Sequence, residues 1–488
     1  MAKVVILGAG VAGHTAASFA GKWLGNNHEV IVVTPNSLWN WIPSNIWVGV
    51  GEMTKEEVTF ELAPVYEKLG VDYKQAKAVS LNPEGNESIT SGFVTVEYTG
   101  QGKEGTTEEV EYDYLINATG PKLNFGATPG LGVGTVMGEH TVSVCTADHA
   151  VHAAHELDKC VEKMRAGERQ AFLIGTGHGM CTCQGAAFEY IFNIEHKLQE
   201  EGVRDMADMT WISNESFLGD FGMGGLHFKM GGFVTSSKVF AESLYAERGM
   251  DWIIGAHVNK VEEGMVTYES LDGSIDTQNF DFAMLIPPFA GVGMKAFAKD
   301  GSDITGNVFA PNGMMKVDAD YTKTSYADWE PSDWPRTLQS PAYGNLFAAG
   351  IAFAPPHPIS KPMKTPNGTP ITPTPPRTGM PSAMMGKAVI SSIRDMIDGA
   401  SEPTHTSCMA EMGAACVASA GKGMLSGTAA AMTVFPVVPN FEKYPGTGRD
   451  INGTTGEIGL AAHWVKHLLH HAFIWKAKLK PGWTLIPE

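Results

Sequence analysis

Lys3-Val-Val-Ile-Leu7-Gly8-Ala9-Gly10-Val11-Ala12-Gly13-His14 decides the fold. Lys3–Leu7 reads as a short apolar strand. Glycines follow at G-x-G-x-x-G spacing, and His14–Leu24 has the pattern of a helix. Glu29–Thr34 supplies the next strand. In this β-α-β setting the motif is a dinucleotide fingerprint. Gly8 and Gly10 permit the tight turn and close backbone approach, and Gly13 lets helix pack on strand. A pyrophosphate then sits at the helix N-terminus, over Gly10, Val11, Ala12 and Gly13. The bland alternative is an α/β turn that binds no phosphate, and the complete context weighs against it. One part is missing. An acidic residue should follow the second strand to hold a ribose, but Thr34-Pro-Asn36-Ser37 stands there, which disfavours NAD.

A second turn follows downstream. Ala171–Ile174 leads into Gly175-Thr-Gly177-His-Gly-Met180-Cys181-Thr-Cys183, and Ala187, Ile191, Ile194 and Leu198 recur at helical steps. Met180 takes the place of the third glycine, and two cysteines follow. The slot reads as a nucleotide site given over to thiol chemistry, with two buried structural cysteines as the alternative left open. Between the two turns, Val94–Tyr98 and Val110–Tyr112 suggest a hairpin. The strand Tyr114–Asn117 ends in Ala118-Thr119-Gly120-Pro121. A strand ending in Ala-Thr-Gly ahead of a second nucleotide-like unit is typical of flavoproteins with two dinucleotide domains. FAD is therefore the better occupant of the first site. Asn345–Gly350 looks like a return into the first domain, with Ile351 where many flavoproteins carry Asp.

Length and charge bound the rest. A chain of 488 residues predicts two or three domains. A net charge of −18 argues against nucleic acid as a partner. Six cysteines are too few for a disulfide framework. Met1-Ala-Lys3 runs straight into a strand, so no export signal is read. No run approaches the roughly 20 apolar residues needed to span a bilayer. Trp39–Asn45 is an aromatic loop that either walls a flat ring or packs on the surface. Cys145 lies near a helix N-terminus, where the dipole favours a thiolate, and His149 lies four residues on. Cys160 reads as a packing residue. Gly219–Gly232 reads as a mobile loop over the site, and Pro355–Pro376 as an extended surface segment. Cys408 and Cys416, eight residues apart without histidine ligands, do not make a zinc site. At the end, Leu460, Trp464, Leu468, Ala472, Trp475 and Leu479 form a helical stripe. His463, Lys466, His467, His470 and His471 take the other face. That is an amphipathic helix suited to a membrane interface, or one docked on the protein's own core.

With these residues placed, the chain resembles the sulfide:quinone oxidoreductases. The marks are Val4–Gly13, Ile42-Pro43-Ser44-Asn45, Ala118–Lys122, Ser143–His149, Thr182–Glu189, Asn345–Gly350 and Cys408–Gly413. Arg377-Thr378-Gly379 matches a Lys-Thr-Gly segment near the flavin. The resemblance implies an α/β fold of two Rossmann-like domains in tandem with a C-terminal amphipathic membrane-binding region. Residues 1–165 and 316–400 would form the FAD domain, the latter part carrying the insertion 355–376. Residues 166–315 would form the second domain and 401–488 the C-terminal region.

It also implies FAD held by Gly8, Gly10, Val11, Ala12, Gly13, Thr34, Pro43, Ser44, Asn45, Val79, Thr119, Gly120, Pro121, Gly350, Ile351, Thr378 and Gly379. The family's three cysteines match Cys145, Cys183 and Cys408, while Cys160, Cys181 and Cys416 have no assigned counterpart. Cys183 and Cys408 would bridge and take up hydrosulfide. Cys145 would release the polysulfide or hold FAD covalently. Glu189 and His149 are the candidate proton handlers, and Met409, Phe473 and Trp475 would bind the quinone. The expected location is the face of a prokaryotic inner membrane, with the oligomeric state left open, a homo-oligomer included. Departures are the insertion, the long Gly219–Gly232 loop, and Asp220 where a histidine is expected. A flavocytochrome-type sulfide dehydrogenase, a type II NADH:quinone oxidoreductase and a non-catalytic flavin sensor are the alternatives.

Overall fold

The computed structural model describes residues 1–132, 140–377, 379–421 and 425–488, without the side chain of Asn26. The opening β-α-β unit forms as read: β1 (Lys3–Leu7), α1 (Val11–Leu24) and β2 (Glu29–Thr34). Then come β3 (Asp72–Asn82), β4 (Phe93–Tyr98), β5 (Thr107–Glu111) and β6 (Tyr114–Asn117). The helix α2 (Ala147–Arg165) precedes the second unit, which holds β7 (Gln170–Thr176), α3 (Gln184–Glu200), β8 (Ala207–Ile212), β9 (Asp251–Ile253) and β10 (Phe282–Ile286). The chain returns through β11 (Leu346–Ala348) and α4 (Gly379–Ile397). It ends in β12 (Ala414–Ala420), β13 (Thr428–Val434), β14 (Gly456–Ile458) and α5 (Leu460–Ala477).

The first sheet runs in the order β11-β6-β1-β2-β3-β4-β5. Its first five strands are parallel, with Val4 opposite both Val30 and Tyr114 and with Phe347 opposite Ile116. Helices cover both faces of such a sheet, so its central strands read as continuous apolar runs. Val4, Val5, Ile6 and Leu7 are accordingly all fully buried. This register brings Gly8, Ala118 and Ala349 together at the carboxyl edge, where Ala118 N–H donates to Leu7 and Ala349 N–H to Asn117. Ligands bind at that edge of open α/β sheets. Helix α4 crosses α1 at a glycine: a Cβ on Gly386 would lie 2.2 Å from the Ala12 carbonyl oxygen.

The second sheet is smaller, in the order β9-β8-β7-β10, all parallel. Three antiparallel strands, β12-β13-β14, lie between α3 and α5. Asn193 on α3 donates to the Ser419 carbonyl at 2.6 Å and so ties that sheet to the helix.

Two loop readings need correction. Pro355–Pro376 is not an extended surface segment. It turns back through a short hairpin, Met363–Lys364 with Pro370–Ile371, and buries His357, Ile359, Ser360, Thr365 and Ile371. Prolines stiffen the segment without keeping it in solvent. Gly219–Gly232 is likewise pinned. Asp220 is 1% exposed and accepts from Ser216 and Gly222, while buried Arg449 donates to the Met223 and Gly225 carbonyls at 2.9 Å each. A buried guanidinium fixes the loop by satisfying backbone oxygens that would otherwise need water.

Candidate functional site

The first fingerprint is a cradle with room above it. A Cβ on Gly8 would lie 2.2 Å from the Ala118 oxygen, and one on Gly13 would lie 2.0 Å from the Gly8 oxygen. Gly10 meets nothing within 4 Å. It is also the N-cap of α1 and offers no side chain, so the helix N–H groups face open space. A dinucleotide pyrophosphate fits such a cradle. Thr34 is buried at the end of β2, and Thr119, Gly120 and Pro121 border the opening after β6. Gly350 adopts φ +68°, and Arg377 holds the turn after it by donating to the Ile351 and Phe353 carbonyls. Gly379 faces the Trp41 ring, 3.8 Å from where a Cβ would sit. Thr378 lies outside the described residues. Val79 sits at the bulge of β3 and is 39% exposed.

Ser44 and Asn45 depart from the expectation for their side chains. Both are completely buried. Ser44 Oγ bonds His470 Nδ1 at 2.8 Å, and Asn45 Nδ2 donates to the Val144 carbonyl at 3.2 Å. They join the Pro43 turn to α5 and to the segment before Cys145. Their polar atoms are spent on the protein, which fixes a wall and leaves only backbone for a ligand.

The second fingerprint is filled from above. Thr372 N–H donates to the Gly179 carbonyl at 2.7 Å, Thr374 N–H to the Cys181 carbonyl at 2.9 Å, and Thr182 Oγ1 to the Pro375 carbonyl at 3.2 Å. A Cβ on Gly179 would lie 2.5 Å from the Pro370 oxygen, and one on Gly177 would lie 2.7 Å from the Leu131 side chain. The proline-dense segment thus straps the glycine turn, where a second pyrophosphate would need bare backbone.

Cys183 caps α3 in the left-handed region, φ 66°. A non-glycine residue there costs about 1–3 kcal/mol, a cost that concentrates at functional positions. Its thiol is pushed up to about 12, first by burial and then by Cys145, while Arg377 opposes the shift. Cys416 on β12 stands beside the same helix end: a Cβ on Gly185 would lie 3.2 Å from its Sγ. Cys181 is fully buried and donates to the Ile286 carbonyl at 3.0 Å. All six cysteines are free thiols.

Cys408 is set apart. Its Sγ lies 3.9 Å from the Trp334 carbonyl, and its charged neighbours are Glu411, Arg336 and Asp318. The pairing of Cys183 with Cys408 is therefore not what these contacts favour, and Cys416 is the C-terminal cysteine brought to Cys183's helix. The cause is local. Cys408 is held in a turn in which Glu411 and Met412 N–H groups bond its carbonyl, and the strand that meets α3 begins only at Ala414. Met409 is buried beside it in the same turn.

The remaining candidates divide. Glu189 is buried on α3, pairs with Lys466 at 3.0 Å and accepts from Ser419 N–H at 3.1 Å. Burial raises its carboxyl and Lys466 opposes that shift. Glu189 in turn raises the thiol of Cys416, second to burial. The His149 ring meets Phe125 edge-on at 6.1 Å, and burial lowers its pKa. Cys145 precedes the Thr146 N-cap of α2, but burial raises its thiol, which overrides the favour expected from the helix dipole. Phe473 stacks on Trp41 at 4.9 Å, whereas Trp475 is 48% exposed and donates to the Pro481 carbonyl. Residues two apart on a helix face different ways, so these rings do not sandwich one quinone. Sequence reasoning missed Cys416 and Lys466 as site residues. No local motif marks either; only the packing of β12 and α5 against α3 brings them in.

Residues 2–188 match the family model for pyridine nucleotide-disulphide oxidoreductases. The chain is 29% identical over 484 residues to the sulfide-quinone reductase of Aquifex aeolicus (strain VF5), covering 98% of this chain and 92% of the relative. The crystal structure of the sulfide:quinone oxidoreductase from Aquifex aeolicus superposes with TM-score 0.75 at 28% identity, over 98% of this chain and 92% of that one. NDH2 from Plasmodium falciparum in complex with NADH shares the fold, with TM-score 0.60 at 13% identity over 98% and 96% of the two chains.

Proposed function

We infer that this chain, a homologue of the sulfide-quinone reductases on the pyridine nucleotide-disulphide oxidoreductase fold, oxidises sulfide and delivers two electrons to a quinone. The observation that carries the reading is the strapped second fingerprint: cysteines stand where an NADH-linked relative needs bare backbone, and Pro370–Pro375 covers them. The flavin supplies the two-electron relay between sulfur and quinone. The chain's own residues do the rest. Gly8, Gly10 and Gly13 admit the dinucleotide, and Arg377 fixes the Gly350–Phe353 turn. Cys183 presents a sulfur at the mouth of α3, and the Glu189–Lys466 pair holds the proton set free by sulfur exchange.

The test is anaerobic. Sulfide should bleach the flavin absorbance, quinone should restore it, and NADH should leave it unchanged. Bleaching by NADH alone would overturn the reading. Cys145 is the site for a covalent flavin bond: flavin that stays with acid-precipitated wild type and leaves the Cys145→Ala variant establishes the bond, and release from both excludes it.

Peripheral association with a quinone-bearing membrane, the inner membrane in a prokaryote, rests on α5. Among the described residues, no helix is long and apolar enough to cross a membrane. Yet α5 turns its polar face inward, burying His463, Lys466, His470 and Lys476, and leaves Trp464, Val465, Leu468 and Trp475 between 44 and 68% exposed. Such an apolar stripe with tryptophans suits a lipid interface.

A further inference from the structure

We propose that Glu52, His196 and Glu200 form a binding site for one first-row divalent cation of the Zn²⁺ class. The site lies apart from the thiols: His196 is about 20 Å along α3 from Cys183, at about 1.5 Å per residue. Its ligands converge from two segments. His196 and Glu200 stand at the i, i+4 spacing that puts side chains on one helix face. Glu52 comes from the turn after Gly51. One ligand atom from each side chain lies within 4.8 Å of the other two. His196 Nε2 is 3.3 Å from Glu200 Oε1. Two ligands held about 2.0–2.1 Å from a tetrahedral Zn²⁺ stand about 3.3 Å apart, so this pair already has the bite of a chelate.

The imidazole supplies independent support. Its Nε2 is buried, and no hydrogen bond reaches it among the described residues. A bound ion or an ordered water accounts for a buried polar atom in that state. Gly421 makes room for the ring: it adopts φ +86°, and a Cβ there would lie 2.5 Å from His196 Nε2. The Glu52 carboxylate oxygens are buried as well. Their turn is fixed in advance. Tyr190 OH, on α3, donates to the Gly49 carbonyl at 2.8 Å, and Glu52 N–H donates to the Trp47 carbonyl at 2.8 Å. Lys197, the neighbouring cation on α3, is engaged by Asp158 at 3.1 Å and Glu201 at 3.9 Å.

Donor chemistry sets the class. One imidazole and two carboxylates, without a thiolate, suit Zn²⁺ or Mn²⁺, and Zn²⁺ binds such a set more tightly. Mg²⁺ and Ca²⁺ favour sets made of oxygen alone. Three protein ligands leave a position for water. Glu200 is exposed, and His196 lines a cleft of ≈ 590 Å³ with Gln199, Arg204 and Ala420, which gives a hydrated ion its approach. An ion bound there ties the Gly49–Glu52 turn to the last turn of α3, and with it the Ser44–Asn45 wall to the second sheet's helix.

The test uses the holoprotein as isolated, without sulfide, which precipitates Zn²⁺. After equilibrium dialysis against micromolar Zn²⁺, metal analysis should find one more Zn²⁺ per chain on wild type than on His196→Ala or Glu200→Gln. Glu200 is exposed, so its variant keeps the comparison open if His196→Ala fails to fold. Zn²⁺ should raise the thermal midpoint of wild type and leave that of Glu200→Gln where it is, while Mg²⁺ at the same concentration should move neither. Anomalous diffraction from Zn²⁺-soaked crystals should place the ion on His196 Nε2, between Glu52 and Glu200. Equal Zn²⁺ retention by wild type and Glu200→Gln would overturn the proposal. So would no retention at all, or an anomalous peak confined to the α5 histidines or the cysteines.

Discussion

Gly10 separates binding from folding. A Cβ there touches no protein atom within 4 Å, whereas one on Gly13 would lie 2.0 Å from the Gly8 oxygen. Gly10→Ala should therefore fold with a thermal midpoint near wild type and yet lose most of its flavin, measured as absorbance per chain after gel filtration. Gly13→Ala should lower both. Glu215 gives a pH dependence. It is fully buried, accepts from Phe221 N–H and Ser213 Oγ, and is raised from 4.5 to about 8, by burial first and Asp220 second. A group raised in the folded state keeps its proton where the unfolded chain has lost it. Its contribution is fully present below pH 4.5 and is lost as pH rises to about 8, at up to ~1.4 kcal/mol per unit. Urea midpoints at successive pH values across that window should fall for wild type and flatten for Glu215→Gln.

At the scale of elements, α5 carries two opposite expectations. Leu468 is 68% exposed, so Leu468→Asp should leave stability within about 0.5 kcal/mol and reduce flotation with lipid vesicles. Lys466 is buried against Glu189, and Lys466→Ala leaves that carboxylate unpaired, a loss of about 3–5 kcal/mol in urea denaturation. The period of the helix was legible because its apolar residues recur every three or four positions. Which face meets the protein was not. The inward groups find partners contributed by distant segments: Ser44 for His470, Ser419 for His463, and Glu488 for Lys476. The strands β1, β2 and β6 were read to the residue because apolar runs end at glycine or proline turns. The folding back of Pro355–Pro376 was hidden, since proline content fixes backbone angles and says nothing of what they pack against.

Over the whole molecule, charge and shape act against each other. The chain carries −18, and the basic groups of α5 are largely turned inward. Vesicle binding should therefore be apolar in origin. Neutral phosphatidylcholine vesicles should bind at least as well as anionic ones, and raising salt should strengthen binding to the anionic set by screening repulsion. Binding that needs anionic lipid and weakens with salt would mean that the lysines, not the tryptophan stripe, meet the membrane.

The two nucleotide-type units, the glycine cradle at Gly8–Gly13 and the thiols of the second glycine turn were legible in the chain alone. Each is written in a contiguous run, where spacing along the chain equals spacing in the turn. Packing, not local pattern, brings Cys416 to the Cys183 end of α3, covers the second turn and turns one side of α5 outward. Those depend on contacts between segments up to hundreds of residues apart, and no local pattern encodes the register in which β12, α3 and α5 meet.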